Sequence, residues 1–441
     1  MVLRVVVFLF LSPLNNDKGH FHNIEFLAAN GRPPFTGETT QANHPPLYYL
    51  LAAPLLLIGG GPKAIQVLSL LLSMGTLLVL YRLIVRPGII AGRQAQTFSL
   101  WLACFLPQFV MNGLYIGNDT LAVFLGAVTT AQLVRLIRKP GTKEVVLVAV
   151  YTGLGLLTKL TFLAFLPVFL AAVALAMGWQ GKSLARVSGA MFLFVVVALG
   201  LGSYKFVENY VRLGNPLTLG PESAYPWVEI QRQSYRGAAS YLDFNVPKLL
   251  FSPIVSDDTK GAYPLLLYAT FWYQHIPESS FIGNHRAPFN YLGSLLYVLG
   301  LVPTAVCLLG ALRMMKSAPS SLAAFRADAS GATDRVVKLA ILALFLSNLA
   351  LVFASVAKYQ VWSIMQARLF FPSFLGMLVA FDEGTRALEA LPRLSRIHLS
   401  VLRGLVALFF LYFVSEIGYK IAVFVYPGLD PWLKSISTRP S

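Results

Sequence analysis

Long apolar runs separated by short polar segments recur along the whole chain, and they predict its architecture. Runs of about 17 residues or more are long enough to cross a bilayer as helices. We predict about eleven transmembrane helices. They lie at roughly 1–13, 64–84, 95–112, 119–135, 143–157, 160–177, 185–204, 290–312, 335–355, 367–381 and 399–426. Because a helix satisfies its own backbone hydrogen bonds in lipid, the pattern predicts an all-α polytopic membrane protein.

Two apolar runs do not fit a full crossing. The run 1–13 is too short at 1.5 Å per residue, so it either begins upstream of Met1 or enters the membrane only partly. No small-residue cleavage site follows it, and a cleaved signal peptide is not expected. The run 46–59 is also short and begins at the second of two consecutive prolines. We interpret it as a helix that lies at the membrane interface.

The distribution of lysine and arginine predicts the orientation. One set of loops carries Arg82, Arg86, Arg93, Arg135, Arg138, Lys139, Lys143, Lys182, Arg186, Arg313, Lys316, Arg326, Arg335, Lys338, Arg386, Arg393, Arg396 and Arg403. The short loops on the opposite side carry Lys18, Arg32, Lys63, Lys159, Lys358 and Arg368. The bias of about three to one predicts that the first side is cytoplasmic. Counting 46–59 as a crossing would destroy this bias. We therefore expect an integral membrane protein in which the first loop, with Asp17, faces the periplasm, the cell exterior or a lumen.

Two long outward segments divide the chain. Residues 14–62 form the first, with a helical pattern over 21–29 and the interface helix at 46–59. Residues 205–289 are rich in aromatic residues and proline, and we expect them to pack on the membrane domain as an external cap loop. The predicted units are an N-terminal transmembrane module at 1–204 that contains the first external loop, the cap at 205–289, and C-terminal transmembrane helices at 290–441.

Composition excludes several classes of function. Charged residues make up 12% of the chain and hydrophobic residues 56%, whereas soluble domains carry about 25% charged residues. The net charge of +16 does not indicate a nucleic-acid partner, because the basic residues are spread over loops as membrane topology requires. Cys104 and Cys307 lie inside apolar runs and indicate neither a disulfide framework nor a metal site. A phosphate-binding loop is absent from the sequence, which argues against an ATP-driven pump.

The segment just after the first apolar run carries the first candidate chemistry. Asp17 lies between Asn16 and Lys18, and His20 and His22 follow. A carboxylate just past a membrane span is a candidate catalytic base, although a solvated polar loop is the ordinary alternative. The two histidines lack a clear third ligand, so a divalent metal is possible but not indicated. We predict no cofactor.

Polar residues at the outer ends of later helices provide a second set of candidates. Asn118 and Asp119 begin one span, Lys159 lies between two spans, and Arg368 opens another. Charges at this depth are costly and often functional, although lysine and arginine also extend to lipid headgroups. Cations at the outer interface suit a phosphate, which arginine can bind through two hydrogen bonds. Cations and a carboxylate that face the same compartment together suggest a transfer reaction. The cations would bind a lipid phosphate that leaves, and the carboxylate would deprotonate an acceptor. His44, before two prolines, is a candidate substrate contact.

In their order along residues 14–380, these motifs resemble the membrane glycosyltransferases of the GT-C superfamily. The branch is the bacterial and archaeal one that is similar to protein O-mannosyltransferases and aminoarabinose transferases. The matching segments are Asn16-Asp17-Lys18-Gly19-His20, His44-Pro45-Pro46-Leu47-Tyr48-Tyr49, Phe105-Leu106-Pro107-Gln108-Phe109, Gly117-Asn118-Asp119-Thr120, Leu157-Thr158-Lys159-Leu160, Glu208-Asn209-Tyr210 through Gly214-Asn215-Pro216, and Gln366-Ala367-Arg368 through Pro372. Relatives commonly carry an acidic pair in the first loop, whereas this chain has Asn16 before Asp17, so Asp17 must act alone. Glu25 lies too far along the loop to replace the missing acid.

The resemblance implies a function and roles for these residues. It implies inverting transfer of a sugar from a polyprenyl-phosphate donor to a lipid, glycan or protein acceptor. The protein would lie in a prokaryotic plasma membrane, in contact with membrane lipids, and its active site would face outside. Asp17 would be the base, Lys159 and Arg368 would bind the donor phosphate, and His20, His44, Asn118 and Asp119 would contact substrate. Two alternatives stay open from the residues alone. The first is a polytopic transporter, or a flippase or scramblase of lipid-linked sugars, without transferase chemistry. The second is a catalytically inactive relative that serves as a scaffold. Charges concentrated at one outer face favour an interfacial enzyme over a transporter with a site at the midplane.

Overall fold

The chain is helical throughout the part that the structure describes. A computed structural model describes residues 1–14, 18–86, 88–179, 181–217, 226–251, 257–273, 287–327 and 331–426. Apart from one isolated bridge between Thr36 and Thr39, those residues pair in no strands. The prediction of an all-α polytopic membrane protein is confirmed.

Ten α-helices lie in the described residues of the N-terminal half, up to the start of the predicted cap. They are α1 (Val2–Phe10), α2 (Gly19–Asn30), α3 (Leu47–Leu57), α4 (Pro62–Ile84), α5 (Arg93–Phe105), α6 (Pro107–Asn112), α7 (Asn118–Arg138), α8 (Thr142–Leu156), α9 (Phe165–Gly178) and α10 (Leu184–Gly202). A 3₁₀ segment, Leu160–Ala164, precedes α9.

The predicted cap and the C-terminal half continue the helical order. The cap contains α11 (Tyr204–Leu213), α12 (Pro226–Arg232), α13 (Ala239–Leu242), α14 (Pro247–Phe251), α15 (Asp257–Lys260) and α16 (Tyr263–Trp272). The long helices α17 (Ala287–Arg326), α18 (Ala332–Tyr359), α19 (Phe374–Glu389) and α20 (Pro392–Val425) follow. Two 3₁₀ segments, Trp362–Ile364 and Ala367–Ser373, join α18 to α19.

Eight helical segments of the described chain are long and apolar enough to cross a membrane. They are Pro62–Ile84, Asn118–Arg138, Leu160–Gly178, Leu184–Gly202, Tyr291–Arg326, Ala332–Tyr359, Trp362–Glu389 and Pro392–Val425. The predicted count of about eleven is therefore not confirmed. Helices α1, α5 and α8 have 9, 13 and 15 residues, and Pro107 divides the predicted span 95–112 into α5 and α6 because proline cannot continue the hydrogen-bond ladder.

The run predicted as an interface helix forms α3, which has 11 residues. At 1.5 Å per residue such a helix extends about 16 Å, roughly half of the hydrocarbon core. It packs against α2, the other helix of the first external loop. The first loop therefore contains two short helices, in agreement with the prediction.

Helices α17 and α19 approach each other so closely that their contact requires glycine. A Cβ at Gly384 would lie 2.0 Å from the Val306 carbonyl oxygen, and a Cβ at Gly310 would lie 1.8 Å from that of Ala380. We expect Gly384→Leu to destabilise the fold by about 3 kcal/mol or more, because the facing atoms are backbone and cannot move aside. Thermal unfolding in detergent measures the effect. Gly200→Leu is the matched control, since nothing lies within 4 Å of its Cβ position, and an equal loss there would contradict the close-contact argument.

The orientation can be tested at positions whose side chains are exposed. Thr40 lies in the predicted outward loop, whereas Lys139 and Arg326 belong to the predicted cytoplasmic loops. In a background without Cys104 and Cys307, we expect a membrane-impermeant maleimide to label a cysteine at 40 in intact cells. Cysteines at 139 and 326 should react only after permeabilisation. The reverse pattern would show that the predicted orientation is wrong.

Candidate active site

Three charged residues that are far apart in the sequence meet at one point. The Lys159 ammonium forms an ion pair with Asp119 Oδ1, and Arg368 Nη1 lies 3.4 Å from Asp119 Oδ2. One carboxylate is thus shared by two cations. The cluster keeps a net charge of +1 when all three groups are ionised.

Breaks between helices place these side chains. Asp119 is the second residue of α7, and the Asn118 side-chain amide donates to the Thr158 carbonyl at 3.2 Å. That bond fixes the start of α7 against the short junction between α8 and the 3₁₀ segment, where Lys159 has an extended backbone with φ −155°. The N-terminus of α7 also directs unpaired backbone N–H groups and a partial positive charge toward this end of the helix.

Arg368 comes from a different part of the chain. It lies in the 3₁₀ segment Ala367–Ser373. The Ala367 N–H donates to Thr270 Oγ1 of α16 at 2.9 Å, so the cap residue Thr270 anchors the start of this segment. That contact had no signal in the sequence, because a lone threonine in an apolar helix is ordinarily a satisfied core residue.

The cluster is largely removed from solvent. The side chains of Asp119 and Lys159 are 13% and 9% exposed, whereas that of Arg368 is 36% exposed. Burial lowers the pKa of the Lys159 ammonium, and the nearby Asp119 carboxylate opposes that shift. Charges so placed interact more strongly than surface charges. Arg368 is the most exposed member of the cluster.

Two histidines of the first external loop lie against this cluster. Nδ1 of His20 is 2.8 Å from the Tyr49 hydroxyl, and the His20 ring stacks on His44 with centroids 5.3 Å apart. A Cβ on Gly117, just before Asn118, would lie 3.3 Å from His20 Cδ2. Burial, followed by the charges of His20 and Lys159, holds the pKa of His44 well below its usual value. His44 is therefore a neutral ring at neutral pH.

All six of the predicted site residues that the structure describes are brought together. They are His20, His44, Asn118, Asp119, Lys159 and Arg368. Asp17, the predicted base, lies outside the described residues. Asp119, predicted as a substrate contact, is an ion-pair partner of both predicted phosphate ligands. Sequence reasoning did not assign a role to Tyr49, although it belongs to the Pro-Pro-Leu-Tyr-Tyr motif.

The site region carries no evident metal centre in the part of the chain that is described. There, groups of three or more histidine, cysteine, aspartate or glutamate side chains suited to a metal ion do not occur.

The segment 32–39 of the first loop contacts α11, the first helix of the predicted cap. The Thr36 N–H donates to Glu208 Oε1 at 2.8 Å, and Thr36 Oγ1 donates to Asn209 Oδ1 at 2.9 Å. Two guanidinium groups lie over the Phe35 ring, that of Arg32 at 4.2 Å and that of Arg212 at 3.3 Å from the ring centre. The motif at 208–216 therefore acts as a docking surface for the loop segment 32–39.

Comparisons with known proteins give one sequence match and weak structural likeness. Residues 43–201 match the family model "Dolichyl-phosphate-mannose-protein mannosyltransferase". A comparison with curated proteins finds no match. Among solved structures, ArnT from Cupriavidus metallidurans bound to undecaprenyl phosphate is 15% identical, with a TM-score of 0.39, and the alignment covers 88% of this chain and 77% of that one. Its apo state is 16% identical, with a TM-score of 0.38 and coverage of 89% and 78%.

The family match covers a functionally informative part of the chain. It begins one residue before His44, includes Asn118, Asp119 and Lys159, and ends within α10. Through this segment, the match confirms that the chain resembles the GT-C membrane glycosyltransferases to which its motifs point.

Proposed function

We propose that this protein transfers a sugar from a polyprenyl-phosphate donor to an acceptor at the outer face of the membrane, with inversion at the anomeric carbon. Lys159 and Arg368 bind the donor phosphate, and Asp17 is the base. The acceptor is a lipid, a glycan or a protein. The observation that carries the proposal is the meeting of Lys159 and Arg368 on Asp119 at a partly open site.

Polar atoms around the cluster have unused hydrogen-bonding capacity. Arg368 Nε, Asn118 Oδ1 and Thr161 Oγ1 are buried and have no hydrogen-bond partner among the described residues. Buried polar atoms without partners are costly, so they indicate a ligand or water that satisfies them. Arg368 Nε and Thr161 Oγ1 can donate to phosphate oxygens, and Asn118 Oδ1 can accept from a sugar hydroxyl.

The proposed roles of these residues follow from where negative charge develops during the sugar transfer. The acceptor oxygen attacks the anomeric carbon and loses its proton to Asp17. The bond from that carbon to the phosphate oxygen breaks, and its electron pair leaves with the polyprenyl phosphate. The phosphate therefore gains one negative charge. A cluster with net charge +1 stabilises this charge more than it stabilises the donor, which is the condition for catalysis.

An apolar cavity offers room for part of the lipid tail. It has a volume of about 450 Å³ and lies between α7, α9, α17 and α18. Pro167, Val168 and Ser347 are among its lining residues. Ser347 donates to the Ala164 carbonyl at 2.6 Å, and Ala164 lies five residues after Lys159. An isoprenoid chain that starts at Lys159 can thus follow α9 into an apolar space.

The decisive experiment uses the purified chain in lipid vesicles with a panel of polyprenyl-phosphate sugars. We expect at least one donor to transfer its sugar. A chain that moves lipid-linked sugar between leaflets without breaking the phosphate bond would instead be a flippase or scramblase. Absence of both transfer and polyprenyl-phosphate binding, with every donor, would overturn the proposal.

A further inference from the structure

Arg4 is a buried cation that the proposed chemistry does not use. It lies in α1 and is 1% exposed. The described residues place no carboxylate in an ion pair with it. A guanidinium buried among membrane helices without a counter-ion is costly, and such residues are retained for a reason.

The contacts of Arg4 identify that reason. Nη2 donates to the Ala103 carbonyl at 3.0 Å, and Nη1 donates to the Phe109 carbonyl at 3.4 Å. In a continuous helix, the Ala103 carbonyl would accept from the N–H of residue 107. Residue 107 is proline and has no N–H. Arg4 therefore supplies the hydrogen bond that Pro107 removes.

A third hydrogen bond holds the guanidinium in place. Arg4 Nη1 also donates to Ser73 Oγ of α4. Gly113 leaves space for both groups, because a Cβ there would lie 2.7 Å from Arg4 Nη1 and 2.5 Å from Ser73 Oγ. The break between α5 and α6 is thus clamped from α1 and α4.

The break between α5 and α6 is connected to residues close to Asp119 and to residues close to Arg368. On one side, α6 ends at Asn112, and the Asn112 carbonyl accepts a hydrogen bond from Thr120 Oγ1 at 3.1 Å. Thr120 directly follows Asp119. On the other side, the Arg4 guanidinium lies 5.3 Å from the centre of the Phe109 ring, which packs edge-on against Phe371 at 5.0 Å. Phe371 lies three residues after Arg368.

We propose that Arg4 is a positioning residue: by replacing the backbone bond lost at Pro107, it fixes the α5–α6 break and so sets Asp119 relative to Arg368. The catalytic part of this inference rests on the proposed function. The structural part, a coupling between Arg4 and Pro107, does not. The two parts can therefore be tested separately.

The experiment combines Arg4→Met with Pro107→Ala in a double-mutant cycle. Per folded molecule, we expect Arg4→Met to lower kcat about tenfold, since small displacements of catalytic groups have effects of this size or larger. In the Pro107→Ala background, residue 107 regains an N–H that can compete with Arg4 for the Ala103 carbonyl. The loss from Arg4→Met should then shrink to about threefold or less. Arg4→Lys, which keeps a donor, should retain more activity than Arg4→Met.

Matched serine variants separate the clamp from general packing. Ser73→Ala removes an Arg4 contact and should lower kcat measurably. Ser99→Ala, at a buried serine of α5 whose hydroxyl has no described partner, should not. Unchanged kcat in Arg4→Met, or an equal loss with and without the Pro107→Ala change, would overturn the positioning role.

The outcome stays interpretable if the chain transfers no sugar. In that case, midpoints of thermal unfolding for the four members of the cycle still report the coupling. We expect the shift caused by Arg4→Met to differ by about 2 °C or more between the chain that keeps Pro107 and the Pro107→Ala background. Additive shifts would show that Arg4 does not replace the missing bond. Failure of the proposed function alone would leave the coupling intact.

Discussion

Asp17→Asn is expected to abolish sugar transfer while the chain still folds and binds polyprenyl phosphate. The change removes the proton acceptor without altering side-chain size. A positioned general base contributes about 10²–10⁴-fold to the rate, so the variant should fall by at least that lower factor. Transfer in lipid vesicles measures the rate, and binding of polyprenyl phosphate without sugar shows that the donor site persists.

Two other acids serve as comparisons for Asp17. Glu25 is an exposed residue of α2, and Glu25→Gln should leave transfer close to the wild-type rate. Asp119 is already paired with two cations, so it is a poor proton acceptor. If Asp17→Asn keeps more than about half of wild-type activity, Asp17 is not the base, and Asp119 and Glu25 must then be considered.

Alanine at Lys159 or at Arg368 is expected to weaken binding of polyprenyl phosphate by roughly tenfold or more. Hydrogen bonds to charged groups contribute about 1.5–3 kcal/mol each, and 1.4 kcal/mol corresponds to tenfold. Lys159→Arg should restore only part of the affinity, because the guanidinium is planar and larger than the ammonium. Binding of polyprenyl phosphate lacking a sugar is the direct measurement.

The control for this prediction is a cation of the cap that pairs elsewhere. Lys248 forms its ion pair with Asp243 at 3.0 Å, and Lys248→Ala should leave phosphate binding unchanged. If polyprenyl phosphate binds equally to the wild type and to both alanine variants of the site, the phosphate assignment is wrong. Lys159 and Arg368 would then extend to lipid headgroups, and their variants would respond to lipid charge instead.

The members of the candidate site could be predicted from the sequence, but their pairing could not. The charge bias and the order of the motifs predict that Lys159 and Arg368 lie on the same side of the membrane, because lysine and arginine in the loops indicate the topology. Nothing in the sequence indicated that Asp119 would lie between them, since that contact depends on how α7 and the 3₁₀ segment pack. The Tyr49 partner of His20 was missed for the same reason.

Arg4 was missed for a different reason. It lies in an apolar run. Such a run is recognised by its mean hydropathy, which a single arginine changes little. The signal that could have found it was the proline inside the predicted span 95–112, because a missing N–H leaves a carbonyl that needs a donor. The same proline explains why the span predicted as one helix is divided into α5 and α6 in the structure.

The docking of loop segment 32–39 on α11 has a consequence for chimeric proteins. Phe35 is held by one arginine from its own loop and one from α11, and Thr36 bonds to two residues of α11. A graft that replaces 205–289 alone discards Arg212, Glu208 and Asn209 together. The loop would then lose a cation–π partner and both hydrogen-bond acceptors at once. Loop segment and cap therefore form one exchangeable unit, and they must be transplanted together.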